Sequence, residues 1–265
     1  MIINLDPDME TVFPDKNQRF NHIMQLRGTV YRELEGRRTQ QVLLNNKSYF
    51  IKQHFGVGWK EIFKNLFQLR LPVISAKNEW QAIARLHELQ IPTLEVVGYG
   101  MRGVNPAQRQ SFLISRELPL FITLEDLGKK WQTDAPSFAF KLALIREVAR
   151  IAKTIHSDGM NHRDFYLCHF LLDLIEYETD GCVKLYLIDL HRAMMHKKTP
   201  QRWVIKDLAG LYFSSQDIGL TQRDWLRFIK LYRGQPLRDV INKETVFWQK
   251  VKTRGDKLYR SHGKK

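Results

Sequence analysis

The triplet His162-Arg163-Asp164 and the carboxylate of Asp189, 25 residues further on, are the residues whose types and spacing bear most directly on chemistry. The first lies in Ile155-His-Ser-Asp-Gly-Met-Asn-His162-Arg163-Asp164, where a helix is stopped by Gly159 and a short loop follows. Phe170-Leu171-Leu172 then returns the chain to the core. The second closes an apolar strand, Leu185-Tyr-Leu-Ile-Asp189. Two carboxylates held on neighbouring loops by buried elements meet the requirement of phosphoryl transfer: one orients the attacking hydroxyl and the other holds the metal on the nucleotide phosphates. A lone His-Arg-Asp triplet would read as a salt-bridged surface turn. The preceding helix, Gly159, the apolar return and Asp189 together favour the functional reading.

A cation for the phosphates is found in Tyr49-Phe-Ile-Lys52. Strand alternation puts Phe50 and Lys52 on one face, and an ammonium buried there without a partner is costly. Glu79, on the helical stripe of Ile83 and Leu86, is the matching carboxylate. The competing reading of Lys52 is a snorkelling surface lysine.

These residues need elements to position them. Thr29–Leu34, Gln41–Leu44 and Ser48–His54 read as strands of an antiparallel meander, with Asn45-Asn46-Lys47 as a turn. Helical spacing follows at 58–71 and at about 77–90, then strands near 94–99 and 111–116. Glu117-Leu118-Pro119 reads as a hinge, because Pro stops the strand and helical periodicity takes over. Phe138–His156 is a strong helix, 190–204 is basic and irregular, and helices recur at about 206–214, 222–233 and 237–259. Strands first and helices later describe an α+β fold with a small antiparallel-sheet lobe over 1–118 and a larger helical lobe over 119–265.

Apolar residues make up 43% and charged residues 26%, an ordinary globular balance. No run reaches the roughly 20 apolar residues of a membrane span. The start, Met1-Ile-Ile-Asn-Leu-Asp-Pro-Asp, shows no basic stretch leading into an apolar one, so no secretory signal is read there. Two cysteines, Cys168 and Cys182, do not make a disulfide scaffold and point to a reducing cytoplasm. Cys168 is read as a small buried thiol, and His54, His87, His156 and His191 as structural. The net charge of +14 implies an anionic partner. Nucleic acid is disfavoured, since no zinc-finger, helix-turn-helix or RNP-type pattern occurs. Helix 58–71, with Trp59, Phe63, Leu66 and Phe67 beside Lys60, Lys64 and Arg70, either lies at an anionic bilayer surface or packs on the sheet.

Longer blocks carry a resemblance. Val30-Tyr-Arg-Glu-Leu-Glu-Gly-Arg-Arg-Thr39, Tyr49-Phe-Ile-Lys52, Glu79-Trp-Gln-Ala-Ile83, Asn161-His-Arg-Asp164 with Cys168-His-Phe-Leu-Leu172, Ile188-Asp-Leu-His-Arg-Ala193 and Lys206-Asp-Leu resemble the bacterial lipopolysaccharide core heptose kinases. These sit within the Kdo/heptose kinase family of protein-kinase-like folds, and the similarity runs from about residue 25 to the C-terminus. The resemblance implies ATP- and Mg2+-dependent phosphorylation of the first inner-core heptose of a lipid-anchored acceptor. It places the enzyme peripherally at the cytoplasmic face of the inner membrane and brings acyl carrier protein forward as a further partner. It implies Asp164 as base, flanked by Arg163 and His162, with Lys52, Glu79, Gly36, Glu117 and Leu118 at the nucleotide and Asp189 with His169 at the metal.

Departures from ordinary protein kinases accompany it. Only Gly36 stands where a Gly-rich loop would be, with Arg37 and Arg38 either covering phosphates or solvated. Phe50 occupies the place of a small residue against adenine. His169 replaces a metal-binding Asn, and an imidazole is a poorer ligand for Mg2+ than an oxygen. Asp189-Leu-His replaces Asp-Phe-Gly. Asp207 is either a buttress of the catalytic loop or a plain charge opening a helix. A Kdo kinase of the same fold, and a non-catalytic basic module docking an acidic protein or lipid surface, are the competing readings.

Overall fold

The computed structural model describes residues 1–34, 36–67, 74–118 and 120–262, the side chains of residues 61, 65 and 66 excepted. The chain divides into two compact units: Met1–Ala84 with Leu94–Leu118, and Arg85–Thr93 with Pro119–Lys265.

The first unit begins with β1 (Ile2–Leu5), α1 (Pro7–Val12) and α2 (Arg19–Gln25). The meander follows as β2 (Thr29–Leu34), β3 (Arg37–Leu44) and β4 (Lys47–His54). Next come α3 (Gly58–Phe67) and α4 (Lys77–Glu88), then β5 (Val96–Arg102) and β6 (Gln110–Arg116). The last turn of α4 is counted with the second unit. The sheet is antiparallel in the order β1-β5-β6-β4-β3-β2. Alternation decides how β4 sits: Tyr49, Ile51 and Gln53 are buried while Phe50 and Lys52 face the other way, half-buried. Phe20, Ile23, Val42, Phe112 and Ile114 pack on the buried face. Two buried amides tie α2 to the sheet, Gln40 Nε2 donating to Gln53 Oε1 at 2.8 Å and Gln53 Nε2 to the Ile23 carbonyl at 2.8 Å.

The second unit contains β7 (Phe121–Thr123), α5 (Leu124–Lys130), the 20-residue α6 (Phe138–Ser157) and β8 (Met160–Asn161). It continues with β9 (Phe170–Asp173), α7 (Leu174–Asp180), β10 (Leu185–Leu187) and β11 (Met194–Met195). Helices α8 (Gln201–Ser214), α9 (Gln222–Arg233) and α10 (Leu237–His262) complete it. Short antiparallel ladders β10-β9-β7 and β11-β8 lie among the helices. Helix α6 buries Val148, Ile151, Ala152 and Ile155. Ser137 caps its start, accepting from the Phe140 amide.

The α+β expectation, with a small antiparallel sheet and a larger helical part, agrees with this architecture. Several details differ. Helix α8 starts at Gln201, not near 206, so residues 201–204 are helical rather than irregular. The four-residue β1 and the short helices α5 and α7 lay below sequence detection. The end of the predicted helix 58–71, with Arg70 and Pro72, falls outside the described residues, as does Pro119 of the predicted hinge.

Candidate active site

The loop carrying Asp164 is built around a buried carboxylate. Asp207, fully buried in α8, accepts the backbone N–H groups of His162 at 2.7 Å and Arg163 at 2.8 Å. His156 Nε2 stands 3.4 Å from the same carboxylate, and its Nδ1 lies 2.9 Å from the Tyr232 hydroxyl. Asp207 is therefore a buttress. It lies within α8 rather than opening a helix, so the alternative of a terminal helix charge is removed. Two successive amides reach one carboxylate because Arg163 adopts φ +74°, a left-handed conformation costing on the order of 1 kcal/mol or more in a residue with a side chain. Gly159, at φ +97°, makes the preceding turn possible: a Cβ there would meet the His196 carbonyl oxygen at 2.0 Å.

The three residues of the triplet have separate places. His162 is buried, and burial pushes its pKa below the usual histidine value, so the ring is neutral. Its Nε2 donates to the Ile188 carbonyl at 2.9 Å, tying this loop to the residue before Asp189. The Arg163 guanidinium lies 4.8 Å from the Trp203 ring centroid. Asp164 alone presents a reactive group, and both its oxygens are within reach of Arg192 Nη1, at 2.8 and 3.1 Å. Sequence reasoning did not single out Arg192. Its signal was a lone Arg three residues after Asp189, inside a block already noted.

Asp189 also adopts a left-handed conformation, φ +62°, at the end of β10. His191 Nδ1 lies 2.6 Å from one of its oxygens, and His169 Nε2 lies 3.4 Å from the other. His169 Nδ1 is 2.6 Å from the Asp164 carbonyl oxygen, so that nitrogen carries the hydrogen. His169 Nε2 and the second Asp189 oxygen thus face each other, an imidazole nitrogen and a carboxylate oxygen placed as a donor pair for a metal ion. Among the described residues no group of three or more His, Cys, Asp or Glu side chains could hold a metal. A Mg2+ ion needs none, since it takes one or two carboxylates and completes its shell with phosphate oxygens and water.

In the first unit, Lys52 forms an ion pair with Glu79, which is 1% exposed. The lysine reading is thus a paired cation rather than a snorkelling one. The second oxygen of Glu79 is buried with no hydrogen-bond partner. Gly36, at φ +72°, is glycine of necessity, because a Cβ would meet the Gly56 carbonyl oxygen at 2.3 Å. Arg38 pairs with Glu33, at 2.6 Å through Nη2, and lies 5.7 Å from the Phe55 ring centroid. The Glu117 amide donates to the Ser48 carbonyl at 3.3 Å, and Glu117 accepts from Gln41 Nε2 at 3.0 Å. Leu118 closes the first unit. Cys168 is half-buried, and burial pushes its thiol up to about 11, which suits a packed thiol rather than a nucleophile.

The second unit also holds an apolar cavity of about 550 Å³, lined by Leu144, Ile145, Val148, Leu211, Ile218 and Trp225, with Lys141 and Lys252 among its polar groups.

The chain is similar to known proteins over most of its length. The lipopolysaccharide kinase (Kdo/WaaP) family profile matches residues 21–232. Lipopolysaccharide core heptose(I) kinase WaaP of Pseudomonas aeruginosa PAO1 is 45% identical over 240 residues, covering 91% of this chain and 90% of that protein. The protein of the same name from Escherichia coli K12 is 45% identical over 243 residues, covering 92% and 91%. A solved structure, WaaP in complex with acyl carrier protein, matches with a TM-score of 0.83 at 39% identity, covering 98% of this chain and 100% of that one. With a loop locked by Asp207, an acid on it and a second acid at a strand end, matched over most of its length by such relatives, the chain belongs to the lipopolysaccharide kinase (Kdo/WaaP) family of sugar phosphotransferases.

Proposed function

We propose that this chain is an ATP-dependent kinase that phosphorylates the first inner-core heptose of lipopolysaccharide at the cytoplasmic face of the inner membrane. The observation that carries the reading is Asp164 on a loop fixed by two backbone amides to buried Asp207, in a chain 45% identical to curated heptose(I) kinases.

Asp164 accepts a hydrogen bond from the attacking sugar hydroxyl and fixes its direction. Full deprotonation before attack is unnecessary in a loose transition state, so positioning dominates. Arg192 pairs with Asp164 and holds it in place. Asp189, with His169, would hold Mg2+, which supplies neutralisation of charge on the phosphates. Lys52, oriented by Glu79, binds phosphate oxygens, and Gly36 lets the backbone of the β2–β3 turn approach them. Glu117 and Leu118 offer main-chain groups to adenine. His162 and Arg163 position the loop.

Feeding defined acceptors tests this. Labelled phosphate from ATP should appear on an acceptor bearing heptose and not on one ending at Kdo. Label on the Kdo-only acceptor would establish the Kdo kinase instead, and label on neither would leave the basic docking module.

The partners follow the same reading. An acyl carrier protein is acidic and this chain carries +14, while the 550 Å³ apolar cavity suits an acyl chain. The complex formed by a relative supports that partner here. Among the described residues no helix is long and apolar enough to cross a membrane. On α3, Trp59, Phe63 and Phe67 are exposed beside Lys60 while Ile62 is buried, which supports peripheral contact with an anionic bilayer.

A further inference from the structure

Beside Asp164 the second unit concentrates positive charge beyond what its acids neutralise. The Trp203 ring on α8 has three cations around it: Arg163 at 4.8 Å, Arg202 at 5.2 Å and Lys206 at 5.7 Å from the centroid. Arg192 adds a fourth through its bond to Asp164. Two carboxylates face these four cations, and both are committed. Asp207 is fully buried and holds the amides of His162 and Arg163, and Asp164 holds Arg192 and awaits a hydroxyl. Arg163 is itself buried, whereas Arg202 is exposed and Lys206 half-buried, so the cluster opens outward along α8. Among the described residues, no carboxylate forms a salt bridge with Lys206. Confining a partly desolvated ammonium beside two guanidinium groups is unfavourable unless an anion joins them.

We propose that Lys206 and Arg202, with Arg192 at their inner edge, form an anion subsite that takes the carboxylate of an acidic sugar linked to the sugar being phosphorylated. The inference rests on the proposed reading of the acceptor as a lipopolysaccharide core sugar. Its place next to Asp164, on the side of α8, assigns it to the acceptor. A carboxylate held there would fix which hydroxyl lies against Asp164 and draw Arg192 partly off that acid, so that acceptor recognition and activation of the base are coupled. The terminal phosphate of ATP offers the same anionic chemistry, and the test separates the two sources.

Charge state gives a second handle. Burial lowers the Lys206 ammonium to about 8, with Arg192 and Arg163 adding to the fall while Asp164 and Asp207 oppose it. Anion binding needs the protonated form, so acceptor affinity should weaken as pH rises through 8, and a bound carboxylate should move that limit upward.

The experiment is steady-state kinetics of Lys206→Met and Lys206→Arg on a heptose-bearing acceptor and on the same acceptor with its carboxylates reduced to alcohols. A charge-assisted contact of this kind corresponds to about tenfold or more in affinity. Lys206→Met should raise the acceptor KM about tenfold on the native acceptor, with the ATP KM changed less than about twofold, and Lys206→Arg should restore most of it and abolish the loss near pH 8. On the carboxyl-reduced acceptor the wild-type KM should already be raised, and the Lys206→Met effect should shrink to about twofold. An unchanged thermal midpoint in both variants would exclude misfolding as the cause. A rise in the ATP KM instead would assign the subsite to the nucleotide, and equal losses on both acceptors would overturn carboxylate recognition. Absence of any sugar phosphorylation by the wild type would instead fail the proposed function itself.

Discussion

Each unit of the chain buries an acid that serves another residue, Glu79 in the first and Asp207 in the second, and these two are satisfied differently. Asp207 in the second unit is fully buried and receives two main-chain amides, with His156 beside it. Glu79 in the first unit is equally buried, receives the ammonium of Lys52, and leaves one oxygen without a partner. A carboxylate bonded to backbone amides fixes a chain conformation. A carboxylate bonded to a flexible side chain fixes only where that side chain points. Asp207 should therefore matter to both folding and turnover, and Glu79 mainly to handling of nucleotide.

The largest effect is expected from Asp207→Ala. It strands the buried amides of His162 and Arg163, each costing about 1–3 kcal/mol, and releases the strained Arg163 conformation. Urea unfolding should show a loss of about 3–5 kcal/mol, with turnover reduced at least about a hundredfold in the protein that remains folded. Asp207→Asn, which retains an acceptor oxygen, should fall between. Glu79→Gln should change stability by less than about 1 kcal/mol while raising the ATP KM several-fold, because Lys52 keeps a neighbour but loses its counter-charge. Equal unfolding penalties for Asp207→Ala and Glu79→Gln would break the distinction between the two units.

A third acid sharpens it. Asp224 caps α9 through Thr221 and pairs with Lys141. Burial alone would raise its pKa, but hydrogen bonds from Thr221 and Lys141 outweigh it and hold the group at about 2. A depressed folded-state pKa stabilises above the unfolded value, near 3.8, and that contribution disappears as pH falls towards 2. Asp224→Asn should cost about 2 kcal/mol at neutral pH and flatten the acid limb of the stability profile between about pH 4 and 2. The smallest effect belongs to Cys168→Ala. With its thiol at about 11, alkylation of Cys168 at neutral pH should be slow and activity should stay within about twofold of wild type.

What the amino acids disclosed follows the range of the interactions. Strand β4 and helix α6 announce themselves by period, and Lys52 with Glu79 by charge on otherwise apolar faces. The His162–Asp164 loop was legible because a helix end, a glycine and an apolar strand lie within 20 residues of one another. Arg192 was missed because its partner lies 28 residues away and no local pattern marks the contact. Asp207 was recognised as a candidate buttress but misplaced at a helix start. The true start was signalled by Thr199-Pro200, since Pro200 takes an extended conformation immediately before α8. Strand β1 is four residues long and exists only by pairing with β5, nearly 100 residues away, which no local propensity conveys.

The most direct measurement compares the wild type with Asp164→Ala, both checked for an unchanged fold by circular dichroism, in transferring labelled phosphate from ATP to a heptose-bearing acceptor. The account predicts a loss of about a thousandfold or more in turnover, with binding of ATP retained, and the wild-type label mapping to the first heptose. Turnover within about tenfold of wild type in Asp164→Ala, or label mapping to another sugar, would contradict it.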